Sequence, residues 1–328
     1  MELCLAQLKS ITNGAIDVTE ENGEYRFHRF TEKQTKEYGV KENLKIRCAC
    51  PAGVSLDFET DSDFFQVQYS LKFSTGRPFF HFDFYVNDIF TASIGEDPLV
   101  NREGTVCYQF PKEFGKTKRV TIYLPQLYEL TLSNISLSNG SRITPAQQKS
   151  KKLFCLGDSI TQGMEAKYPS NTYPVQLARY LNAELLNQGV GGYIFNHESL
   201  DKDLPYSPDL ITVAYGTNDW SSLPSAEALL TNVTAYFKTL CAIYPTVPIY
   251  AITPLWRSNL HDIRPAGTFE QVGNTMRTVC EKYPNIKVVD GMKLVPNMSL
   301  YLNDKTIHPN DLGFLHYAFQ LSKAIATV

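Results

Sequence analysis

Net charge is nearly missing from this 328-residue chain: 31 basic residues stand against 34 acidic ones, a formal balance of -3. That excludes the electrostatic footprint of a protein that binds nucleic acid or clings to an anionic membrane. Long apolar runs are missing too, so no stretch is suited to span a bilayer. The opening residues, MELCLAQLKSITNGA, lack a basic segment followed by an apolar one, and a cytoplasmic protein is the expectation. The seven cysteines (Cys4, Cys48, Cys50, Cys107, Cys155, Cys241, Cys280) are odd in number and scattered, which argues against a disulfide framework. Cys48 and Cys50 in IRCAC would face one side of a strand, but two ligands without nearby partners do not make a zinc site, and no metal is expected. Tryptophan occurs only at positions 220 and 256.

What the chain does contain changes character along its length. Up to about residue 140 it is built from short segments rich in aromatic and β-branched residues, among them EYRFHRF, NLKIRCA, FFQVQYSLKF, PFFHFDFYVN, RVTIYL and LYELTLSNISL. The alternation in FHFDFYV and VTIYL is the period of a half-buried strand, so residues 1–140 are expected to form an all-β, jelly-roll-like sandwich. A polar stretch with Gly and Pro over 141–151 is expected to be a linker. From 152 to 328, apolar runs (KLFCLG, ELLNQG, DLITVAYG, VPIYAITP, IKVVDG) alternate with helical patterns near 172–182, 225–243, 268–283 and 310–326. That alternation predicts a parallel five-stranded sheet covered on both faces, flavodoxin-like, with a crevice at the C-terminal ends of its strands.

The chemically able residues fall at those ends. Ser159 follows the first strand in LGDSITQG, Gly191 and Gly192 follow the second, Asn218 follows the third in YGTND, Trp256 and Arg257 follow the fourth, and His308 precedes the last helix. A serine hydroxyl becomes a nucleophile when a base removes its proton, and His308 is the candidate base. On spacing alone a plain N-cap fits Ser159 better than a nucleophile, and the backbone N–H groups of that first turn are free to face an anion. Asn218 could aim its side-chain amide at a developing oxyanion or serve only as a turn residue. Glycines in NQGVGG allow the backbone to approach a ligand closely. Pro309 keeps the segment before it out of a helix, and Asn310 or Asp311 can cap the last helix. Trp220, Trp256 and Arg257 are candidate contacts to a sugar, and crevice-edge packing explains both tryptophans equally well.

GDSIT with Ser159, a glycine of NQGVGG, GTND with Asn218 and IHPND with His308 resemble, in order, the four blocks of the SGNH, or GDSL-type, esterase and acylhydrolase superfamily. The resemblance implies Ser159 as nucleophile, His308 as general base, and an oxyanion hole made by the N–H groups of Ser159 and Gly192 and the Asn218 side chain, with Gly191 as the alternative to Gly192. It implies no cofactor. The sandwich is similar in arrangement to the accessory domain of several carbohydrate esterases of this superfamily, so a small acyl ester on an oligosaccharide is the expected substrate. One position departs from the pattern: the aspartate usually found three residues before the histidine is Lys305 here, and Asp304 lies one further back. Either the loop bulges so that Asp304 reaches the imidazole, or a backbone carbonyl orients the ring, with Asp290 an outside candidate. Asp304 is favoured because only a carboxylate also stabilises an imidazolium.

Overall fold

A computed structural model describes residues 1–74 and 76–326. From Lys151 onward the chain forms one parallel sheet of five strands, β1 (Lys151–Gly157), β2 (Ala183–Gly189), β3 (Leu210–Ala214), β4 (Ile249–Ile252) and β5 (Ile286–Val289), in the order β2-β1-β3-β4-β5. Alternate residues of β1 serve opposite cores. Leu153 and Cys155 pack with Tyr173 and Leu177 of helix Tyr173–Tyr180 and with Phe314 and Tyr317 of helix Asp311–Ala326. Phe154 and Leu156 pack with Leu229, Val233 and Phe237 of helix Ala226–Ile243 and with Val272 and Met276 of helix Phe269–Cys280. This is the expected doubly wound layout. Register sets the site: Gly157 of β1 lies level with Gly189 of β2 and Ala214 of β3, so the turns after them all leave at one rim.

The preceding residues form a β-sandwich of two antiparallel sheets. One runs Asp17–Glu21, Glu24–His28, Tyr128–Leu137, Phe64–Ser74, Glu103–Gln109; the other runs Thr12–Asn13, Ser55–Thr60, Lys118–Tyr123, Phe80–Val86, Ile89–Glu96. Phe58, Phe65, Phe82, Phe84, Leu130 and Leu132 fill the space between them. The stretch 141–151 is more than a connection, because Ile143–Pro145 adds to the edge of Ser55–Thr60. NLKIRCA is not a strand. It lies in helix Glu42–Ala49, whose Leu44 and Cys48, four residues apart, are buried against the second domain's core. Cys48 and Cys50 therefore do not share a strand face, and both are buried as free thiols.

The alternation in Phe80–Val86 has an outcome its pattern does not reveal: every residue of the strand is buried. Phe80, Phe82, Phe84 and Val86 enter the sandwich core, while His81, Asp83 and Tyr85 face the parallel-sheet domain. Asp83 accepts hydrogen bonds from the Ser170 N–H at 2.9 Å and the Ser93 hydroxyl at 2.6 Å, and its burial raises the carboxyl pKa despite them. The polar stripe of this strand is thus an interface.

Arg29 makes the tightest join. Its side chain is buried, with 1% of the residue exposed, and donates to four backbone carbonyls: Cys50 at 2.6 Å, Arg47 at 3.0 Å, Gly189 at 3.2 Å, and Asn187. Two acceptors belong to the N-terminal domain and two to the end of β2. A buried cation survives only when hydrogen-bonded on all sides, and burial still lowers the Arg29 pKa. Arg29→Met removes a buried donor from four carbonyls at once and is expected to cost roughly 3–5 kcal/mol of stability. Urea unfolding measures this, and a loss under about 1 kcal/mol would contradict the role given to the guanidinium.

Candidate active site

Ser159 is the first residue of a four-residue helix, Ser159–Gln162, that begins right after β1. Its N-cap is Asp158, whose Oδ1 accepts from the Ile160 N–H at 3.0 Å, so the Ser159 hydroxyl is not spent on capping. The helix can sit so low on the sheet only because its neighbours lack side chains: a Cβ on Gly189 would lie 2.3 Å from the Gln162 nitrogen. The Ser159 Oγ is 2.9 Å from His308 Nε2, and His308 Nδ1 is 2.6 Å from Asp304 Oδ2. A carboxylate only accepts, so Nδ1 carries the ring proton and Nε2 is left to take the proton of the Ser159 hydroxyl.

The displaced aspartate reaches the ring because the backbone turns left-handed at Lys305, with φ +62. The other oxygen of Asp304 accepts from the N–H groups of Thr306, Ile307 and His308 at 2.9, 2.8 and 3.1 Å. Burial opposes its charge, but the His308 hydrogen bond and these N–H donors prevail and hold the carboxyl well below the usual range. Asp290 is engaged elsewhere, accepting from Met292 and facing Arg277 at 3.6 Å. The loop is closed by the bond from the Asn303 N–H to the His308 carbonyl at 2.9 Å and braced by Asn303 on Glu165 at 2.6 Å, while Arg77 of the sandwich grips the other Glu165 oxygen at 2.6 Å. Asn310, not Asp311, caps the last helix, accepting from the Gly313 N–H at 2.9 Å.

Three candidate donors flank Ser159. The Ser159 N–H, at the first position of its helix, has no intrahelical acceptor. The Gly191 N–H is taken by Gln162 Oε1 at 2.8 Å, which leaves Gly192, in the left-handed region at φ +78, as the glycine donor of this turn. Asn218 is half-buried and holds the Tyr193 carbonyl with one N–H at 3.0 Å, keeping the second for a ligand. Asp219 staples the two turns by accepting from the Phe195 and Gly216 N–H groups at 3.0 and 3.1 Å, and burial pushes its carboxyl up to about 7.

Two expected sugar contacts are not available. Trp220 is 0% exposed, donates to the Gly267 carbonyl at 3.0 Å and lies beneath the Arg257 guanidinium, so it is a core residue. Arg257 is itself buried and bonded to Thr217, Ser221 and Asn259. Position after a strand end located both residues correctly but could not give their side-chain direction. Trp256 is half-buried, two residues before the exposed Ser258. The sandwich reaches the opposite rim, through Arg47 and Arg77. Sequence reasoning missed both, along with Gln162, since nothing local marks contacts made between segments distant in the chain.

A serine, an imidazole and a carboxylate in hydrogen-bonded series at the C-terminal rim of a five-stranded parallel sheet define an SGNH-type hydrolase. Residues 155–314, just under half of the chain, match the GDSL-like lipase/acylhydrolase family, and with that match the protein is an ester-hydrolysing enzyme. No curated protein is similar enough in sequence to match. Among solved structures, the chain is similar to the salicylyl-acyltransferase SsfX3 from a tetracycline biosynthetic pathway, with TM-score 0.83 and 22% identity over 96% of this chain and 94% of that one. It is also similar to an acetyl xylan esterase from the rumen bacterium Butyrivibrio proteoclasticus (TM-score 0.61, 14% identity, 94% and 96% covered). A family two carbohydrate esterase from Clostridium thermocellum in complex with cellohexaose gives 0.62 at 15% identity, with 84% and 92% covered. At these identities the likeness establishes the two-domain fold.

Lys305→Gly, which removes the side-chain cost of a left-handed backbone, is expected to hold or raise stability by up to about 1 kcal/mol, and Lys305→Val to lower it by about 1–2 kcal/mol. Thermal unfolding of the two variants ranks them, and the reverse order would refute this account of the loop.

Proposed function

We propose that the protein is a serine esterase that removes small acyl groups, acetyl foremost, from a saccharide through an acyl-enzyme on Ser159. The observation that carries the proposal is the unbroken series from the Ser159 hydroxyl through His308 to Asp304. Ser159 Oγ attacks the ester carbonyl as its proton passes to His308 Nε2, and Asp304 stabilises the imidazolium formed. The tetrahedral oxyanion is held by the N–H groups of Ser159 and Gly192 and by the Asn218 amide. His308 returns the proton to the leaving alcohol. Water then attacks the acyl-enzyme, gives its proton to the same nitrogen, and the acid departs as Ser159 recovers its hydrogen.

The saccharide part draws support from the carbohydrate esterases that share the two-domain layout, and from Trp256, a half-buried ring after β4 that could stack on a sugar. A second reading is transfer of the acyl group to an alcohol instead of water, favoured by the likeness to an acyltransferase over nearly the whole chain. A displaced aspartate is the feature that would mark an inactive glycan-binding relative; with Asp304 on His308, it does not speak for one here.

A fluorophosphonate is expected to label the wild type and not Ser159→Ala. Asn218→Ala should lose about 100-fold or more in kcat, and Asp304→Asn on the order of 1000-fold or more. Wild type that takes no label would remove the acyl-enzyme proposal. Trp256→Ala is expected to raise KM several-fold for acetylated oligosaccharides while leaving hydrolysis of p-nitrophenyl acetate unchanged. Equal effects on both substrates, or a wild-type preference for long-chain esters, would overturn the sugar assignment.

A further inference from the structure

The turn that bears Gly192 is the least constrained backbone at the site. Two adjacent glycines allow their shared peptide to rotate at little cost, because each accepts both signs of φ. A side chain would disturb the turn: a Cβ on Gly191 would lie 2.3 Å from the Met164 terminal methyl and push it aside, and one on Gly192, where φ is +78, would lie 2.8 Å from Arg47 Nη1. The orientation of the peptide must therefore be imposed from outside. A peptide unit is planar and trans, so its C=O and N–H point in opposite directions, and fixing the Gly191 carbonyl fixes the Gly192 N–H.

The Gly191 carbonyl is held by Arg47 Nη1 at 2.8 Å. Arg47 is itself tied into a closed ring of three residues. Its backbone carbonyl accepts from Gln162 Nε2 at 3.4 Å and from Arg29 Nη2 at 3.0 Å, and Gln162 Oε1 accepts the Gly191 N–H at 2.8 Å. Gln162 is fully buried and belongs to the Ser159 helix. The ring thus joins the helix that presents Ser159, the turn that presents Gly192 and a helix of the N-terminal domain. The neighbouring cation, Arg77, is paired with Glu165.

We propose that Arg47 is a positioning residue for the oxyanion hole: it clamps the Gly191 carbonyl so that the Gly192 N–H faces the ester oxygen, which makes the sandwich half of the chain part of the catalytic apparatus. This rests on the acyl-transfer function proposed for the Ser159 site. The guanidinium acts on the oxyanion only through the peptide. A cationic donor on the carbonyl also polarises the unit and strengthens its N–H as a donor when negative charge develops.

The test compares wild type with Arg47→Met, which keeps the apolar stem without donors, and Arg47→Lys, which keeps charge and one donor reach. The assay is p-nitrophenyl acetate hydrolysis, with an alkylboronic acid as the tetrahedral inhibitor. For Arg47→Met, kcat is expected to fall roughly 10- to 100-fold with KM within about threefold, and boronate affinity to fall by a similar factor. Arg47→Lys should recover most of kcat. An Arg47→Met kcat within about twofold of wild type, or a loss carried by KM alone, overturns the proposal. Should Arg47→Met fail to fold, Arg47→Lys against Arg47→Gln decides: a kcat at least several-fold higher for the lysine supports the clamp, and equal values overturn it. A wild type that neither turns over ester nor takes a fluorophosphonate label refutes the underlying function instead.

Discussion

One buried guanidinium decides how the two halves of this molecule meet. Arg29 lies over the Phe30 ring and donates to backbone carbonyls, two from each side of the junction, and no single acceptor could hold a cation out of water. Its partners on β2 are the last residues before the glycine turn, and its partner at Arg47 is the main chain of the residue that grips that turn. The position of the sandwich and the shape of the oxyanion turn are therefore one problem with one solution. If the junction shifted by an ångström, four carbonyls would lose their donor and the peptide next to Ser159 would lose its support.

The other catalytic loop is braced in the same manner. Arg77 holds Glu165, and Glu165 holds Asn303 at the base of the histidine loop, so the sandwich touches both sides of the crevice without entering it. Around these points the interface carries paired polar groups: His81 meets the Lys167 carbonyl, Asp83 meets Ser170, and Gln34 exchanges hydrogen bonds with Gln188. Buried polar contacts of this kind specify a single geometry, because any other arrangement leaves groups unpaired. Apolar packing from Phe30, Tyr38, Leu44 and Cys48 against the second core supplies the bulk attraction.

Much of this was legible in the residues. The change from two-residue to mixed periodicity near 150 marked the two architectures, and the strand-end positions of Ser159, Gly192, Asn218 and His308 gave the rim, since a parallel sheet sends all its C-terminal ends one way. Asp304 was legible only as a choice, because its reach depends on a left-handed lysine, and nothing in a lysine announces that conformation. Trp220 and Arg257 were misassigned for a related reason: location after a strand does not reveal that one would stack on the other inside the core. Helix Glu42–Ala49 was hidden because only Leu44 and Cys48 anchor it, too few to display a helical period. The polar face of Phe80–Val86 looked solvated because alternation records which residues are apolar, not what covers the rest.

The three-residue ring through Arg47, Gln162 and Gly191 has a consequence for the life of the polypeptide before it is fully folded. The N-terminal half leaves the ribosome first, and the parallel sheet can close only later. Until docking is complete, the serine can be present while the hole beside it is unformed. On the proposed role of Arg47, full hydrolytic competence then comes only with docking, and an immature copy turns over the esters it meets more slowly.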